Sequence, residues 1–288
     1  MSFVDVLSLV SYCHPMSVEM LSLCKNIPNI HVYLEDVTII PTTFPKNLKS
    51  LSFDFRFNQP VTLPDGLQSV TFGYRFNQPV MLPDGLQSVT FGYSFNQRIK
   101  LPKGLKSVTF GDSFNQRIRL PKGLKSVTFG DGFKKLLILP KGLQSVIFGY
   151  GFNQNVTLPE GLQNVTFGDS FNHPITLPEG LKSVTFGYWF NQPLELPEGL
   201  QSVTFAYRFN QFVNLPDGLQ HVTFGTHFNQ CIKLPKGLKS LKFDSLNQQN
   251  IRLPEELQNV VCSSPQGDSM TFKAFFNNPW VMVFHQVD

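Results

Sequence analysis

Residues 63–81 read LPDGLQSVTFGYRFNQPVM, and this stretch returns along the chain with few changes. Its second phenylalanine, Phe76, has counterparts every 19 residues from Phe57 to Phe228. A proline follows the same period from Pro45 to Pro254, and it is preceded by leucine in every repeat except the first, where Phe44 precedes it. A fixed period of about 20 residues is typical of a solenoid in which each repeat forms one turn. The sequence therefore predicts about twelve stacked coils of 19 residues.

The pattern inside one repeat predicts a short strand and a sharp corner. Apolar and polar residues alternate at the end of Leu67–Phe72, as they do in a strand, and they alternate again over Pro79–Leu82. Between such segments, Pro83, Asp84 and Gly85 form a turn signal, in which we expect proline at the second turn position. We expect the strands of successive coils to pair in one parallel sheet.

Stacking must supply the core, because 19 residues cannot enclose an apolar interior alone. We expect leucine, valine and phenylalanine columns to pack on their equivalents in the neighbouring coils. The asparagine that follows each phenylalanine, such as Asn77, recurs in register as well. We interpret it as a buried structural residue that bridges backbone groups from coil to coil.

The motif itself resembles a known repeat family. FNQP, preceded by FG and followed by LPxGL, resembles the FNIP repeat, a relative of the leucine-rich repeat, over about Pro45 to Val260. The resemblance implies a mainly β, right-handed leucine-rich-repeat-like β-solenoid that acts as a protein-interaction module. The chain departs from the motif at Lys134–Leu136 and at Leu246–Asn247, where we expect local distortion.

The N-terminal segment, residues 1–30, lacks the repeat. The spacing of Leu7, Val10, Val18 and Leu21 suits two short amphipathic helices, so we predict a helical cap over the first coil. An alternative interpretation is that the segment is similar to an F-box. That resemblance implies docking to a Skp-type adaptor of a cullin ubiquitin ligase, and its matching residues are Leu9, Tyr12, Pro15, Leu21 and Leu23.

The boundaries of the domains follow from the residues at which the 19-residue period begins and ends. We assign residues 31–260 to the repeat solenoid and residues 261–288 to a C-terminal cap. Within that cap, Phe272–Phe276 and Trp280–Phe284 have the apolar, aromatic composition of strands.

Composition limits the environment and the partners. The formal net charge is +4 and 15% of residues are charged, which favours neither a general nucleic-acid binder nor a membrane protein. The start of the chain carries Asp5 and no basic cluster, unlike a secretory signal. The four cysteines have no CxxC spacing and indicate no disulfide framework. We therefore expect an intracellular protein, cytoplasmic or nuclear.

Catalysis is not indicated by the motifs. A repeat places like residues in columns, whereas an enzyme needs a cluster of unlike groups. No phosphate loop, nucleophile elbow or HExxH motif is present. We expect no enzyme activity, no cofactor and no metal site.

Exposed positions after each FG pair are the candidate partner-binding site. Tyrosine, tryptophan and arginine are enriched in binding hot spots, and these positions carry all three. An alternative is that the rings stack only on each other and stiffen the edge of the solenoid. The candidate residues are Tyr74, Arg75, Tyr93, Tyr150, Tyr188, Trp189, Tyr207 and Arg208.

Charge also varies along the chain. Residues 98–141 contain eleven basic residues and two acids, a net +9, whereas residues 160–217 contain six acids and two bases, a net −4. Such segments can steer a partner of matching polarity. An alternative function is therefore polyanion or nucleic-acid binding through coils 98–141. Aromatic residues are not interleaved there as in single-strand binders, which makes nucleic acid the weaker hypothesis.

Overall fold

The protein is a parallel β-solenoid. The computed structural model describes residues 7–11, 30–34, 44, 48–243, 259–263 and 269–272, with side chains at 44 and 48–243. Within these ranges the chain forms fifteen strands. They are β1 Leu7–Ser11, β2 Ile30–Leu34, β3 Leu48–Phe53, β4 Ser69–Thr71, β5 Ser88–Thr90, β6 Ser107–Thr109, β7 Ser126–Thr128, β8 Ser145–Ile147, β9 Asn164–Thr166, β10 Ser183–Phe186, β11 Ser202–Phe205, β12 His221–Phe224, β13 Ser240–Phe243, β14 Asn259–Ser263 and β15 Ser269–Phe272.

The chain divides into two compact units, residues 1–143 and 144–288. In the first unit, β1 to β7 pair in parallel and in chain order. In the second unit, β8 to β14 do the same, and β15 pairs with β14 in the antiparallel direction. The register between coils is 19 residues, as for Val70 opposite Val89. The predicted period is therefore the structural period.

Ten of the twelve predicted coil corners lie in the described residues, and those of Pro45 and Pro254 lie outside them, so the structure describes about ten coils. One detail of the prediction needs correction. The helix predicted to contain Leu7 and Val10 is wrong, because Leu7–Ser11 is strand β1 and pairs with β2. Pairing with Ile30–Leu34 satisfies backbone groups that a helix would have paired internally. Val18 and Leu21 lie outside the described residues.

Five buried columns form the core of each unit, and the leucine of the Leu-Pro pair, such as Leu63 at 7% exposure, is the least buried of them. Leu67 and Phe76 are 0% exposed, and Val70 and Phe72 are 1% exposed. The two phenylalanines of a coil stack with centroids 4.1 Å apart, and Phe72 lies 5.4 Å from its equivalent, Phe91. Burying such side chains contributes about 1.5–3 kcal/mol each, so coil stacking is the main favourable term in folding.

Each coil turns twice, and both turns close with a hydrogen bond. At the Leu-Pro corner the backbone N–H of Leu67 donates to the carbonyl of Pro64 at 3.2 Å. Proline is thus the first residue of this turn, one position earlier than predicted. The second turn follows the strand, where the N–H of Phe76 donates to the carbonyl of Gly73 at 3.3 Å. No strand forms over the second predicted extended segment, residues 79–82.

The glycine of the FG pair permits close stacking at the second turn. A Cβ atom on Gly92 would lie 2.2 Å from the carbonyl oxygen of Gly73 in the preceding coil. Ala206 occupies the same position in its own coil, and there the turn hydrogen bond from Phe209 to Ala206 lengthens to 3.5 Å. Close contact between coils therefore favours glycine at this position, and Ala206 is accommodated with a longer turn hydrogen bond.

The predicted structural role of the asparagine column is confirmed. The N–H of Asn96 donates to Oδ1 of Asn77 at 2.9 Å, and Gln97 Nε2 donates to the same oxygen at 3.1 Å. The second unit repeats this ladder, with the N–H of Asn210 donating to Oδ1 of Asn191 at 2.9 Å. These asparagines are half-buried or exposed rather than buried, so the ladder runs along the surface.

The coil that contains Lys134 keeps its backbone position despite its altered motif. Phe133 still stacks on Phe114, with centroids 6.1 Å apart. The N–H of Lys134 still donates to Oδ1 of Asn115 at 3.0 Å. The predicted distortion is absent from these two contacts with the preceding coil. The other departure, Leu246–Asn247, lies outside the described residues.

Candidate functional site

The second turn of each coil presents the candidate binding residues. Tyr74 and Arg75 occupy its two central positions, between Gly73 and Phe76. Backbone hydrogen bonds fix the turns in register, such as the N–H of Ser94 donating to the carbonyl of Tyr74 at 2.9 Å. We call the surface made by these central positions the turn face. Side chains on it are held by a rigid backbone one coil apart, which reduces the entropy lost when a partner binds.

A first aromatic cluster lies on the turn face of the first unit. The rings of Phe55, Tyr74 and Tyr93 stack in a row, with centroids 4.7 Å apart at both steps. Arg75 extends over the Phe55 ring, with its guanidinium carbon 5.9 Å from the centroid. The three rings are about half-exposed, at 51%, 42% and 45%. The cluster is thus a flat apolar surface with a cation at one side.

A second aromatic cluster lies on the turn face of the second unit. Tyr188 and Tyr207 stack with centroids 4.6 Å apart, and Trp189 meets Tyr188 edge-on at 4.9 Å. The guanidinium of Arg208 lies over the Trp189 ring, 4.7 Å from its centroid. Trp189 is 45% exposed. His227 packs against Tyr207 at 4.2 Å and extends the cluster by one coil.

Aspartates replace the aromatic residues in other coils. Asp112 Oδ1 accepts a hydrogen bond from the N–H of Asp131 at 3.2 Å, and Asp169 Oδ1 accepts one from the N–H of Tyr188 at 3.1 Å. A short aspartate side chain can reach the backbone amide at the equivalent position of the next coil. An aromatic side chain at this position instead contacts the ring of a neighbouring coil. The turn face of each unit is therefore divided into aromatic and acidic parts.

Most of the predicted partner-binding residues come together in these two clusters. Tyr74, Arg75 and Tyr93 share the first cluster, and Tyr188, Trp189, Tyr207 and Arg208 share the second. Tyr150 occupies the same turn position and is 54% exposed, and its carbonyl accepts a hydrogen bond from Ser170. Sequence reasoning missed Phe55 and His227. Their signal was present, because they lie 19 residues before Tyr74 and 19 residues after Arg208.

The predicted adaptor-binding residues are only partly visible. Leu9 lies in the middle of strand β1, opposite Val32 of β2. Tyr12, Pro15, Leu21 and Leu23 lie outside the described residues. Adaptor binding therefore stays a prediction from the sequence.

The basic residues of segment 98–141 do not share one face. Lys103, Lys122 and Lys141 lie in Leu-Pro turns, and Lys106 and Lys125 precede the strands. Lys125 Nζ donates to the carbonyl of Gly142 at 3.4 Å. The other six follow the second phenylalanine of their coils, and they are Arg98, Lys100, Arg117, Arg119, Lys134 and Lys135.

The described part of the chain carries neither a metal-binding cluster nor a membrane-spanning helix. There, no group of three or more histidine, cysteine, aspartate or glutamate side chains is close enough to hold a metal ion. The same residues contain no helix of the length and apolarity that a membrane crossing needs.

The fold and the repeated turn define a leucine-rich-repeat-like solenoid. The chain belongs to the FNIP repeat family, because the FNIP repeat model matches residues 37–74, 57–94, 76–113, 95–132, 114–151, 152–189, 190–227 and 212–245. Comparison with curated protein sequences gives no significant match.

Two solved structures are similar. One is described as the crystal structure of CroV588, a novel circular leucine-rich-repeat protein, with 28% identity and a TM-score of 0.57 over 81% of this chain. The other is YopM from Yersinia enterocolitica WA-314, with 19% identity and a TM-score of 0.59 over 86% of this chain, a likeness of fold alone. The chain spans 49% of the first structure and 59% of the second. It is thus a repeat solenoid that resembles leucine-rich-repeat interaction scaffolds.

Proposed function

We propose that the chain is a protein-binding scaffold that recognises its partner through the aromatic clusters of the turn face. The observation that carries the proposal is the half-exposed Trp189 ring with the Arg208 guanidinium 4.7 Å above it. Tryptophan, tyrosine and arginine dominate binding hot spots. The two aromatic residues bury large areas at a small cost in conformational entropy. The repeated backbone already holds these side chains in place.

The alternative, that the rings serve only to stiffen the edge, accounts less well for Trp189 and Arg208. The backbone of each turn is fixed by its own hydrogen bonds, including the turns of Ser113 and Ser170, whose central residues are an aspartate and a serine. Aromatic residues are thus not needed to hold the turn. A side chain that is not needed for folding and remains half-exposed fits a binding role.

The test is selection of binders followed by affinity measurement. Peptides and small domains displayed from a proteome library would be selected on the full chain, and the dissociation constants of the selected binders compared for Trp189→Ala and Arg208→Ala. Ser170→Ala is the matched control, because Ser170 occupies the same turn position without an aromatic ring. We expect the two cluster variants to weaken binding about tenfold or more, a hot-spot loss. Binders that tolerate both variants, and tolerate Tyr74→Ala and Tyr93→Ala as well, would show that the turn face is not the recognition surface.

Two narrower hypotheses stay predictions from the sequence. The first is that residues 1–30 dock a Skp-type adaptor, which would make the scaffold a substrate receptor of a ubiquitin ligase. Its test is adaptor binding by the full chain and by a Pro15→Ala, Leu21→Ala variant, and equal binding by both chains would contradict it. The second hypothesis is polyanion binding through coils 98–141, for which affinity should fall steeply with salt.

A further inference from the structure

A second exposed surface lies away from the turn face, in the first unit. After the second phenylalanine of each coil, side chains alternate between outward and inward. Arg98 and Lys100 are exposed, and Ile99 between them is half-buried. The next coils repeat this with Arg117 and Arg119, and the preceding coil places Pro79 and Met81 at the same positions. We call the surface made by residues 79–81, 98–100, 117–119 and 134–138 the basic loop face.

The basic loop face carries cations without counter-ions. Its cations are Arg98, Lys100, Arg117, Arg119, Lys134 and Lys135, and the four segments contain no acid. Within the described residues, none of these six side chains forms an ion pair with a carboxylate. Successive coils lie about 4.8 Å apart, so like charges stack closely along the axis. This arrangement is unfavourable in the free protein, and an acidic partner would relieve it.

Apolar side chains lie at both ends of the same face. Met81 is 87% exposed at one end, and Leu136 and Ile138 are 71% and 90% exposed at the other. Met81 and Ile138 occupy equivalent positions three coils apart, which separates them by about 14 Å at the strand spacing. The order along the axis is therefore apolar, basic, basic, apolar.

The coil that contains Leu136 and Ile138 has no asparagine at the position where the other coils donate to and accept from one another. Lys134 and Lys135 replace the asparagine and glutamine of the motif, so this coil lacks the Oδ1 acceptor that its equivalents provide. The backbone does not need the change, because Lys134 still donates to Asn115 as an asparagine would. This coil thus lacks a structural hydrogen bond and carries two cations and two exposed aliphatic side chains. Such a departure from the structural pattern is typical of a binding surface.

A depression lies on the same face. It has a volume of about 440 Å³ and is lined by Pro79, Asn96, Gln97, Arg98 and Gln116. The depression lies between Pro79, in the coil of Met81, and Arg98 in the next coil. Its lining offers amide groups and a guanidinium, which are suited to the backbone and carboxylates of a peptide.

We propose that the basic loop face binds an extended acidic peptide segment of a protein partner, with aliphatic side chains four residues apart. An extended chain advances about 3.3 Å per residue, so residues i and i+4 are about 13 Å apart and point to the same side. They match the separation of Met81 and Ile138. The residue between them, i+2, lies opposite Lys100 and Arg119, which hold the same repeat position in the two coils between Met81 and Ile138, so its carboxylate can accept hydrogen bonds from the ammonium and guanidinium groups.

The observations favour a peptide over other anions. Nucleic acid would leave Met81, Leu136 and Ile138 without apolar partners, and the coils at 96–100, 115–119 and 134–138 have no aromatic side chain on which bases could stack. An anionic membrane would not use the depression beside Pro79. This binding surface is separate from the turn face and does not depend on its function.

The probe is a labelled seven-residue peptide with leucine at the second and sixth positions, aspartate at the fourth and glutamate elsewhere. Its affinity for the full chain would be measured by fluorescence anisotropy. The control peptide has serine in place of both leucines and the same charge. We expect the leucine peptide to bind at least about tenfold more tightly than the control. No binding up to about 1 mM, or equal binding of the two peptides, would overturn the proposal.

The decisive variant restores the motif. Lys134→Asn with Lys135→Gln rebuilds the ladder and should fold at least as stably as the original chain, yet we expect it to bind the leucine peptide about tenfold more weakly. Ile138→Ser should weaken binding several-fold, whereas Trp189→Ala, in the other unit, should not change it. An unchanged affinity in the restored variant would contradict the proposal. So would tighter binding of single-stranded DNA, or of vesicles with about three parts in ten phosphatidylserine.

Discussion

Oδ1 of Asn96 accepts a hydrogen bond from the backbone N–H of Asn115, its equivalent one coil later, at 2.9 Å. The same oxygen accepts from Gln116 Nε2 at 3.1 Å. One side-chain atom thus satisfies two donors of the next coil. In the described part of each unit, this arrangement connects coils by a second route besides the strands.

Removal of that acceptor should destabilise the coil that follows. In Asn96→Ala the N–H of Asn115 and the Nε2 of Gln116 both lose their protein partner. Because the site is half-buried, we expect a loss of about 1 kcal/mol in the free energy of unfolding. Hydrogen exchange at the Asn115 amide should become faster. Asn96→Asp keeps the acceptor and is the control, so an equal effect of both substitutions would contradict this account.

Glycines at the two turns should differ in their tolerance of alanine. A Cβ atom at Gly111 would lie 2.2 Å from the carbonyl oxygen of Gly92, whereas a Cβ atom at Gly123 would lie 3.4 Å from that of Lys103. We expect Gly111→Ala to cost about 1–3 kcal/mol or more and Gly123→Ala to be close to neutral. Urea unfolding of both variants is the measurement. If Gly123→Ala were the more harmful, coil contact would not explain the FG glycine.

Phenylalanine stacking should make the interior sensitive to truncation. Phe114 is 0% exposed, and its ring stacks on Phe110 at 4.0 Å and on Phe95 and Phe133 at 6.1 Å. Phe114→Ala should reduce the free energy of unfolding by about 3–5 kcal/mol. Ile138→Ala, at a side chain that is 90% exposed, should change it by less than about 0.5 kcal/mol. Comparable losses in both variants would show that the rings do not form the core.

Trp189 and Arg208 should be energetically coupled in the free protein. The guanidinium lies 4.7 Å from the ring centroid at a half-exposed site, so a double-mutant cycle with Trp189→Leu and Arg208→Gln should give about 0.5–1 kcal/mol. Chemical denaturation of the four chains provides the values. A coupling energy of zero would mean that the two side chains present separate surfaces to a partner.

The repeated part of the fold could be predicted because each column recurs many times. One coil gives weak evidence for a strand at residues 69–71, but the same pattern recurs at 19-residue spacing through Ser240. Leu7–Ser11 occurs once, and there a three-residue apolar spacing favoured a helix. Pairing with Ile30–Leu34 determined the outcome, and a local pattern does not contain that long-range contact.

The sequence predicted which repeat positions carry the candidate site residues, but it did not predict which of these side chains contact each other. The sequence places Tyr74 and Tyr150 at the same point of the repeat, while the structure shows which rings stack and which guanidinium covers them. The basic loop face was harder to predict from the sequence, because the basic residues of segment 98–141 form one continuous block there. The Leu-Pro turn separates Arg98 and Arg117 from Lys103 and Lys106, and only the coil geometry shows this division.

The antiparallel strand β15 affects how molecules could associate end to end. Parallel strands let every coil serve as a template for the next, and an unprotected last strand would let another molecule continue the stack. Strand β15 pairs with β14 in the reverse direction, from Val260 opposite Phe272 to Ser263 opposite Ser269. A further FNIP coil that met β15 would find a neighbour of opposite direction, unlike the parallel neighbours that the strands of successive coils give one another. We expect this reversal to make continuation of the parallel stack at β15 less favourable.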